Sequence, residues 1–411
     1  RKVMIQGEDY YFYHTFYPFQ LDINWKNPKV LYEVLDVISF WQNQGIDIFR
    51  LDAIPYFIKK PGTNAENLPD THRIVKLLSL YIQATGPSSV IQAEANQWPK
   101  DILPYYGAQK ERVYEMSTAK QDEVLKRTDE VQIAYNFPYM PAMWASMMTE
   151  DTSHFWKAFE ATPDIPEQSA WATFLRVHDE LTLEMVDLDT RELLYNRLLD
   201  KGAEFRKGLG VSGRLADFLG NDPERIHLAY AMLFSLPGVP IIYYGDEIGV
   251  NNNYDYAKAA EQERRETQEA KNTDLDILSY YDSRDINRGP VTKAAFYSAL
   301  EDETSPQHRI FKSIANLIAI RKENDVIKRG SLKPLESDNL QILSYQRVLG
   351  DQNLTILHNL SNQPEVITLG GIPVDKTHLY DLIHREFIPV RHVDEAKTQL
   401  TLKPHQSLWL K

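Results

Sequence analysis

Short apolar runs that end in charged residues recur through the first 330 residues, with helical spacing between them. Ile46, Ile48 and Phe49 read as a buried strand that ends in Arg50 and Asp52. Val90-Ile91-Gln92-Ala93 ends in Glu94, and Trp171 to Arg176 runs into His178-Asp179-Glu180. Ile241 to Tyr244 ends at Gly245-Asp246-Glu247, and Val131 to Phe137 is a further run. Asn27-Pro28 opens a helix whose stripe is Val30, Leu31, Val34, Leu35, Ile38 and Trp41. Ile74, Leu77, Leu78, Tyr81 and Ile82 mark a second, Met143, Trp144, Met147 and Met148 a third, and Asp222-Pro223-Glu224 opens another that runs to Leu236. Strands alternating with helices predict parallel βα units, and polar residues at nearly every strand end predict a (β/α)8 barrel of the TIM type. About five of its eight strands can be placed.

After Asn252 the pattern changes. Lys258 to Lys271 is densely charged and predicts a solvated helix. Asp282-Ser283-Arg284-Asp285 and Arg288-Gly289-Pro290 form a loop that could reach over a site, and Ile310, Ile314, Leu317 and Ile318 mark a closing helix. From Ser331 onward, Gln341 to Tyr345, Leu354 to His358, Val366 to Leu369 and Gln399 to Leu402 read as short strands with turns. The chain is therefore expected to divide into residues 1–330, a barrel without its first strands, and residues 331–411, a C-terminal antiparallel β domain of sandwich type.

Composition removes several classes of function. A net charge of −13, from 58 acids against 45 bases, argues against nucleic acid and anionic membrane as partners. No cysteine is present, which rules out disulfides, thiol catalysis and thiolate metal sites. No apolar run is long enough to span a membrane. A cytoplasmic location is the working expectation.

Three carboxylates stand at three strand ends: Asp52, Glu94 and Asp179. Cleavage of a glycoside with retention needs one carboxylate as nucleophile and one carboxylic acid to protonate the leaving oxygen. The acid needs a raised pKa, and a third carboxylate can support the charge that develops. Arg50, two residues before Asp52 and on the same strand face, would keep it ionised. His178 could bond a sugar hydroxyl. For Arg50 and Asp52 alone, a plain ion pair closing a strand is the alternative.

Gly45-Ile46-Asp47-Ile48-Phe49-Arg50-Leu51-Asp52-Ala53 resembles the second short motif of the α-amylase superfamily of retaining glycoside hydrolases and transglycosylases. Glu94 in Ala93-Glu94-Ala95-Asn96 resembles the third, and Phe174 to Asp179 the fourth. Within that superfamily the trehalose synthases are the more specific likeness. It rests on Phe16 to Asn24, Gly62-Thr63-Asn64, Glu66 to Pro69, Glu94 to Pro99, His178 to Val186 and Tyr243 to Gly249, and runs from about Tyr10 to Gly249. The resemblance implies Asp52 as nucleophile, Glu94 as acid/base and Asp179 as transition-state stabiliser. It further implies Arg50, His178, Asn96, Gln97 and Arg288 as sugar-site residues.

Three departures accompany it. The family's first motif, an Asp and an Asn-His pair, is absent because the chain begins after its place. The expectation is that roughly 100–200 residues precede Arg1 in the natural protein, scaled from the usual size of such barrels. Val177 stands where the family usually has Asn. The Arg-Thr-Pro-Met-Gln-Trp run of trehalose synthases is missing, with Arg288-Gly289-Pro290 a partial counterpart. The leading expectation is an enzyme that interconverts maltose and trehalose by intramolecular transglucosylation through a glucosyl–Asp52 intermediate. A hydrolytic α-glucosidase or small-oligosaccharide amylase is the alternative, and a non-catalytic carbohydrate-binding relative is the reading from another class. The expected partner is a small α-glucoside (maltose, trehalose or a maltooligosaccharide). Self-assembly into a homo-oligomer stays open. No cofactor and no metal ligand follow from these residues, and a calcium site in the region expected before Arg1 stays open.

Overall fold

Asn27 accepts a hydrogen bond from the Lys29 amide at 3.1 Å and Pro28 supplies a fixed φ, so the helix Pro28–Asn43 starts where its sequence says it should. The computed structural model describes residues 2–17, 20–107, 129–271, 280–370, 372, 376–395 and 397–411, without the side chains of 268–271. They group into two units. One comprises residues 1–135, 162–171 and 261–281, the other 136–161, 172–260 and 282–411.

In the first unit Ile48–Leu51 lies parallel to Val90–Ala93, with Ile48 opposite Val90 and Leu51 opposite Ala93. Val90–Ala93 pairs in the same sense with Ile133–Tyr135. The helix Pro69–Thr85 connects the first two strands, as a parallel crossover requires. Ile38, Ile54, Val75, Leu78, Ile82, Ile91 and Ala93 form the core between sheet and helices. Within the charged helix that starts at Tyr254, Arg265 pairs with Glu261 one turn earlier. A hairpin, Lys2–Ile5 with Glu8–Tyr11, turns through Gln6 and Gly7, both at positive φ.

Burial in this unit departs from the expected pattern. Ile46 and Ile48 are 40% and 50% exposed, and Trp41 is 49% exposed. Ile48–Leu51 is paired along one edge only among the described residues, so its apolar side chains lack a second neighbour. On the crossover helix Val75 rather than Leu77 faces inward, because Thr71, Val75, Leu78 and Ile82 share the face that meets the sheet.

The second unit contains a helix, Tyr139–Thr149, that is apolar on every side and buried from Tyr139 to Met147. Within it Ala172–Phe174 lies parallel to Val239–Ile241. Asp222 accepts from the Glu224 amide at 2.9 Å and caps the helix Pro223–Ser235. The strand after that helix ends earlier than expected, at Ile241. Tyr243 O already accepts from the Asp246 amide in a turn with Gly245 at φ +87.

Beyond Gly330 the pairing among the described residues is antiparallel. Ser331–Pro334, Ile342–Leu349, Gln352–Asn359, Ser407–Leu410, His378–Asp381 and Glu386–Pro389 form one sheet in that order. Glu365–Gly370, Lys397–Leu402 and Arg391–His392 form another. Ile342, Leu357, Ile367, Leu369, Leu400, Leu402, Leu408 and Leu410 make a shared core. Asp381, fully buried, accepts from the amides of Trp409 at 2.9 Å and His384 at 3.0 Å and from the His384 ring. Among the described residues no helix is long and apolar enough to cross a membrane.

Candidate active site

The parallel register sets the first pair of carboxylates side by side. Leu51 lies opposite Ala93, so Asp52 and Glu94 are the next residues beyond two adjacent strand ends. The Glu94 amide donates to Leu51 O at 3.0 Å and the Ile54 amide to Glu94 O at 3.3 Å, which fixes both backbones there. Arg50 Nη2 lies 3.1 Å from Asp52 Oδ1 and pairs as well with Glu94 Oε2, so one guanidinium nitrogen holds two carboxylates. The Asp52 side chain is 63% exposed and that of Glu94 only 18%. An exposed pair such as Arg50–Asp52 stabilises by about 1 kcal/mol at most, so its effect is on orientation. Ala53 follows at φ 48, a left-handed conformation that turns the chain away from Asp52.

A loop is tied to the stretch after Glu94. Glu66 accepts from Gln97 Nε2 at 2.5 Å, Tyr56 OH at 3.2 Å and Asn64 Nδ2 at 3.3 Å. Tyr105 OH donates to Asn67 Oδ1 at 2.7 Å. Gln97 is buried and Asn96 exposed. Asp22, in the stretch before the first helix, lies with its Oδ2 2.6 Å from Lys59 Nζ. Burial alone would raise the Asp22 carboxyl, but the hydrogen bonds from Lys59 and Thr15 hold it below its usual range.

In the second unit Asp179 meets two arginines and a histidine. Arg288 Nη2 lies 2.6 Å and Arg284 Nη1 3.1 Å from its Oδ1, and His178 Nε2 lies 3.2 Å from its Oδ2. Asp282 holds Arg284 with both oxygens, at 2.8 Å to Nε and 2.8 Å to Nη2, and lies 3.5 Å from Arg288 Nη1. Burial would raise Asp282, yet Arg284 keeps its carboxyl below the usual range. Glu180 goes the other way: burial, with Asp179 beside it, pushes it up to about 7. The loop backbone is held separately. Ser212 Oγ and Ser283 Oγ are 2.9 Å apart, the Asn253 amide donates to Ile286 O at 2.7 Å, and Tyr244 OH donates to Arg288 O at 2.8 Å. Arg288 Nε and Asn287 Nδ2 both donate to His178 O, at 3.0 and 3.2 Å. A Cβ at Gly289 would come within 3.0 Å of the Asn253 side chain, which would have to shift to make room.

Beneath this loop Asp246 is fully buried, 3.8 Å from Arg176 and 3.7 Å from Arg214. Both guanidiniums lie over the Tyr243 ring, at 4.5 and 4.8 Å from its centre. Burial pushes Asp246 up to about 6 in spite of the two arginines. Among the described residues no three carboxylate or imidazole groups converge as metal ligands.

The family profile described as "Alpha amylase, catalytic domain" matches residues 5–186 and 212–330. The chain belongs to the α-amylase family. It is thus an α-amylase-superfamily glycoside hydrolase or transglycosylase, with a barrel and C-terminal antiparallel sheets. It is 32% identical to a "Trehalose synthase" of Pimelobacter sp. (strain R48), over 99% of this chain and 70% of that protein. It is 33% identical to the "Trehalose synthase/amylase TreS" of Mycobacterium tuberculosis (strain ATCC 25618 / H37Rv), over 97% and 64%. The chain spans between 39% and 70% of the length of its trehalose-synthase relatives. In fold it resembles the alpha-amylase from H. orenii, with a TM-score of 0.62 at 18% identity over 96% of this chain and 67% of the other.

Set against this family, the residues read from the sequence fall into groups. Arg50, Asp52 and Glu94 come together in one unit, and His178, Asp179 and Arg288 in the other. Asn96 and Gln97 follow Glu94, and Gln97 is tied to the loop through Glu66. Sequence reasoning missed Asp282, Arg284 and Glu180 as parts of the Asp179 environment. The one signal for the first two was their place in a charged loop expected to reach over a site.

Proposed function

We propose that the chain carries the catalytic part of an enzyme that interconverts maltose and trehalose by intramolecular transglucosylation. The supporting observation is identity of 32–33% to trehalose synthases along almost the whole chain. Residues 1–330 are the barrel part and 331–411 a separate β domain in this reading. Asp52 attacks the anomeric carbon of the non-reducing glucose while Glu94 gives its proton to the leaving oxygen. Asp179 lowers the energy of the oxocarbenium-like transition state by its charge. Arg50 and His178 hold the sugar and the carboxylates. The released glucose reorients, Glu94 takes the proton of its anomeric hydroxyl, and that oxygen displaces Asp52. The new bond is the α,α-1,1 bond of trehalose.

Isomerisation competes with attack by water and wins only while the freed glucose is held close. The loop built on Glu66 and Asn67, the Asn96-Gln97-Trp98 stretch and Arg288 are the enclosing groups. Val177 favours a second outcome, hydrolysis, because it removes a polar group beside His178 and Asp179. The name of the M. tuberculosis relative, which includes amylase, supports that mixture. Incubating the full-length protein with maltose and labelled glucose separates the readings. Unlabelled trehalose together with a fraction of free glucose is expected. Glucose alone, with no trehalose at any time, assigns a hydrolase, and accumulating longer maltooligosaccharides assign an intermolecular transferase.

A further inference from the structure

We infer that Asp282 is a positioning residue for Asp179, acting through Arg284 and Arg288. The inference rests on the reading of Asp179 as transition-state stabiliser. Oδ1 of Asp179 receives Arg288 Nη2 at 2.6 Å and Arg284 Nη1 at 3.1 Å, so two cations meet on one oxygen. Two guanidiniums that close repel each other unless a second anion lies between them. Asp282 is that anion. Its two oxygens take Nε and Nη2 of Arg284 in a two-pronged contact, and Oδ2 lies 3.5 Å from Arg288 Nη1. The fork is planar and rigid, so fixing one edge aims the remaining Nη1 at Asp179. The Phe205 ring, 5.3 Å from Arg284 Cζ, supports the guanidinium plane.

The consequence is electrostatic. With Asp282 in place, two arginines and two carboxylates balance, and Asp179 keeps a negative charge to offer a cationic transition state. Without it, two arginines converge on Asp179 alone and neutralise it. Glu180 cannot substitute, because its Oε2 lies 4.0 Å from Arg284 and burial disfavours its charge. The loop backbone has its own tethers at Ser212, Asn253 and Tyr244, so the loop keeps its course when the carboxylate is removed.

The test uses the full-length protein with maltose and with α-glucosyl fluoride. Asp282→Asn and Asp282→Glu are made alone and in an Asp179→Asn background, each checked by its melting transition. Asp282→Asn is expected to lower kcat about 10- to 100-fold, the scale of a misplaced catalytic group, with KM within about threefold. Asp282→Glu is expected to recover most of that loss. In the Asp179→Asn background Asp282→Asn should change nothing further, since its effect passes through Asp179. A kcat within about twofold of the parent, or the same loss in both backgrounds, overturns the inference while leaving Asp179 as stabiliser. Should Asp179→Asn itself keep parental kcat, the stabiliser assignment falls and this inference with it. If Asp282→Asn does not melt cooperatively, Arg284→Lys carries the test: it keeps the charge and loses the fork, and an unchanged kcat overturns the inference.

Discussion

Arg50 pairs with Asp52 and Glu94 through one nitrogen, and the proposed mechanism gives the two carboxylates different roles that substitution can separate. In the proposed mechanism Asp52→Asn removes the nucleophile and keeps the shape, so turnover should vanish while maltose still binds, as titration calorimetry would record. In the same mechanism Glu94→Gln removes the proton donor, so it should retain slow release of fluoride from α-glucosyl fluoride while losing maltose as a substrate. Equal loss on both substrates would remove the acid/base role from Glu94. Glu180 makes a prediction about stability. Its folded pKa of about 7 lies above that of an unfolded glutamate, so the folded state holds the extra proton. Stability from this group is present below the unfolded value and declines as pH rises toward 7. Glu180→Gln should abolish that decline, and urea midpoints measured between pH 5 and 8 would show the gap widening with pH. The strand-end carboxylates were readable because each closes a local apolar run. The Arg284–Asp179 contact was not, since it joins residues 105 apart and no local pattern records such a pairing.

Strands and helices were legible where their neighbours are local. The Asn27 and Asp222 caps and the runs Ile342–Leu349 and Gln352–Asn359 carry their own signals of capping and alternation. His378–Asp381 and Ser407–Leu410 carry none, being four residues each and stabilised by what lies across from them. Asp381 is the link, since its carboxylate takes the Trp409 amide 28 positions later. Asp381→Ala would leave that amide and the Ile383 amide buried without this acceptor, at about 1–3 kcal/mol each. A fall in the urea midpoint with an unchanged slope is expected, and a midpoint equal to the parent's would deny Asp381 this role. Leu78, fully buried between helix and sheet, should cost about 2–5 kcal/mol as Leu78→Ala in the same measurement. Periodicity alone misjudged Ile48 because the strand pattern shows which face is apolar, whereas burial also depends on a neighbour along the edge.

For the molecule as a whole, acid is the expected weakness. Burial lowers His227 to about 4 and His358 to about 3, so both stay neutral in the fold while an unfolded chain takes up protons below about 6.5. Their contribution is present above that value and is lost as pH falls toward 4. Replacing His358 with Gln should flatten the acid limb of a thermal-melting series between pH 4 and 6.5, and an unaltered limb would assign the loss elsewhere. Temperature acts in the opposite sense on the Arg176–Tyr243–Arg214 stack. Asp246 and both arginines are stripped of water, and no side-chain nitrogen of Arg176 has a hydrogen-bond partner among the described residues. That arrangement is costly in the cold, because hydration of ions is then at its most favourable. Warming weakens the hold of water on the same charges, so the penalty for enclosing them shrinks as the solvent heats. An apolar replacement of equal volume would gain at room temperature and give back part of that gain near the melting point.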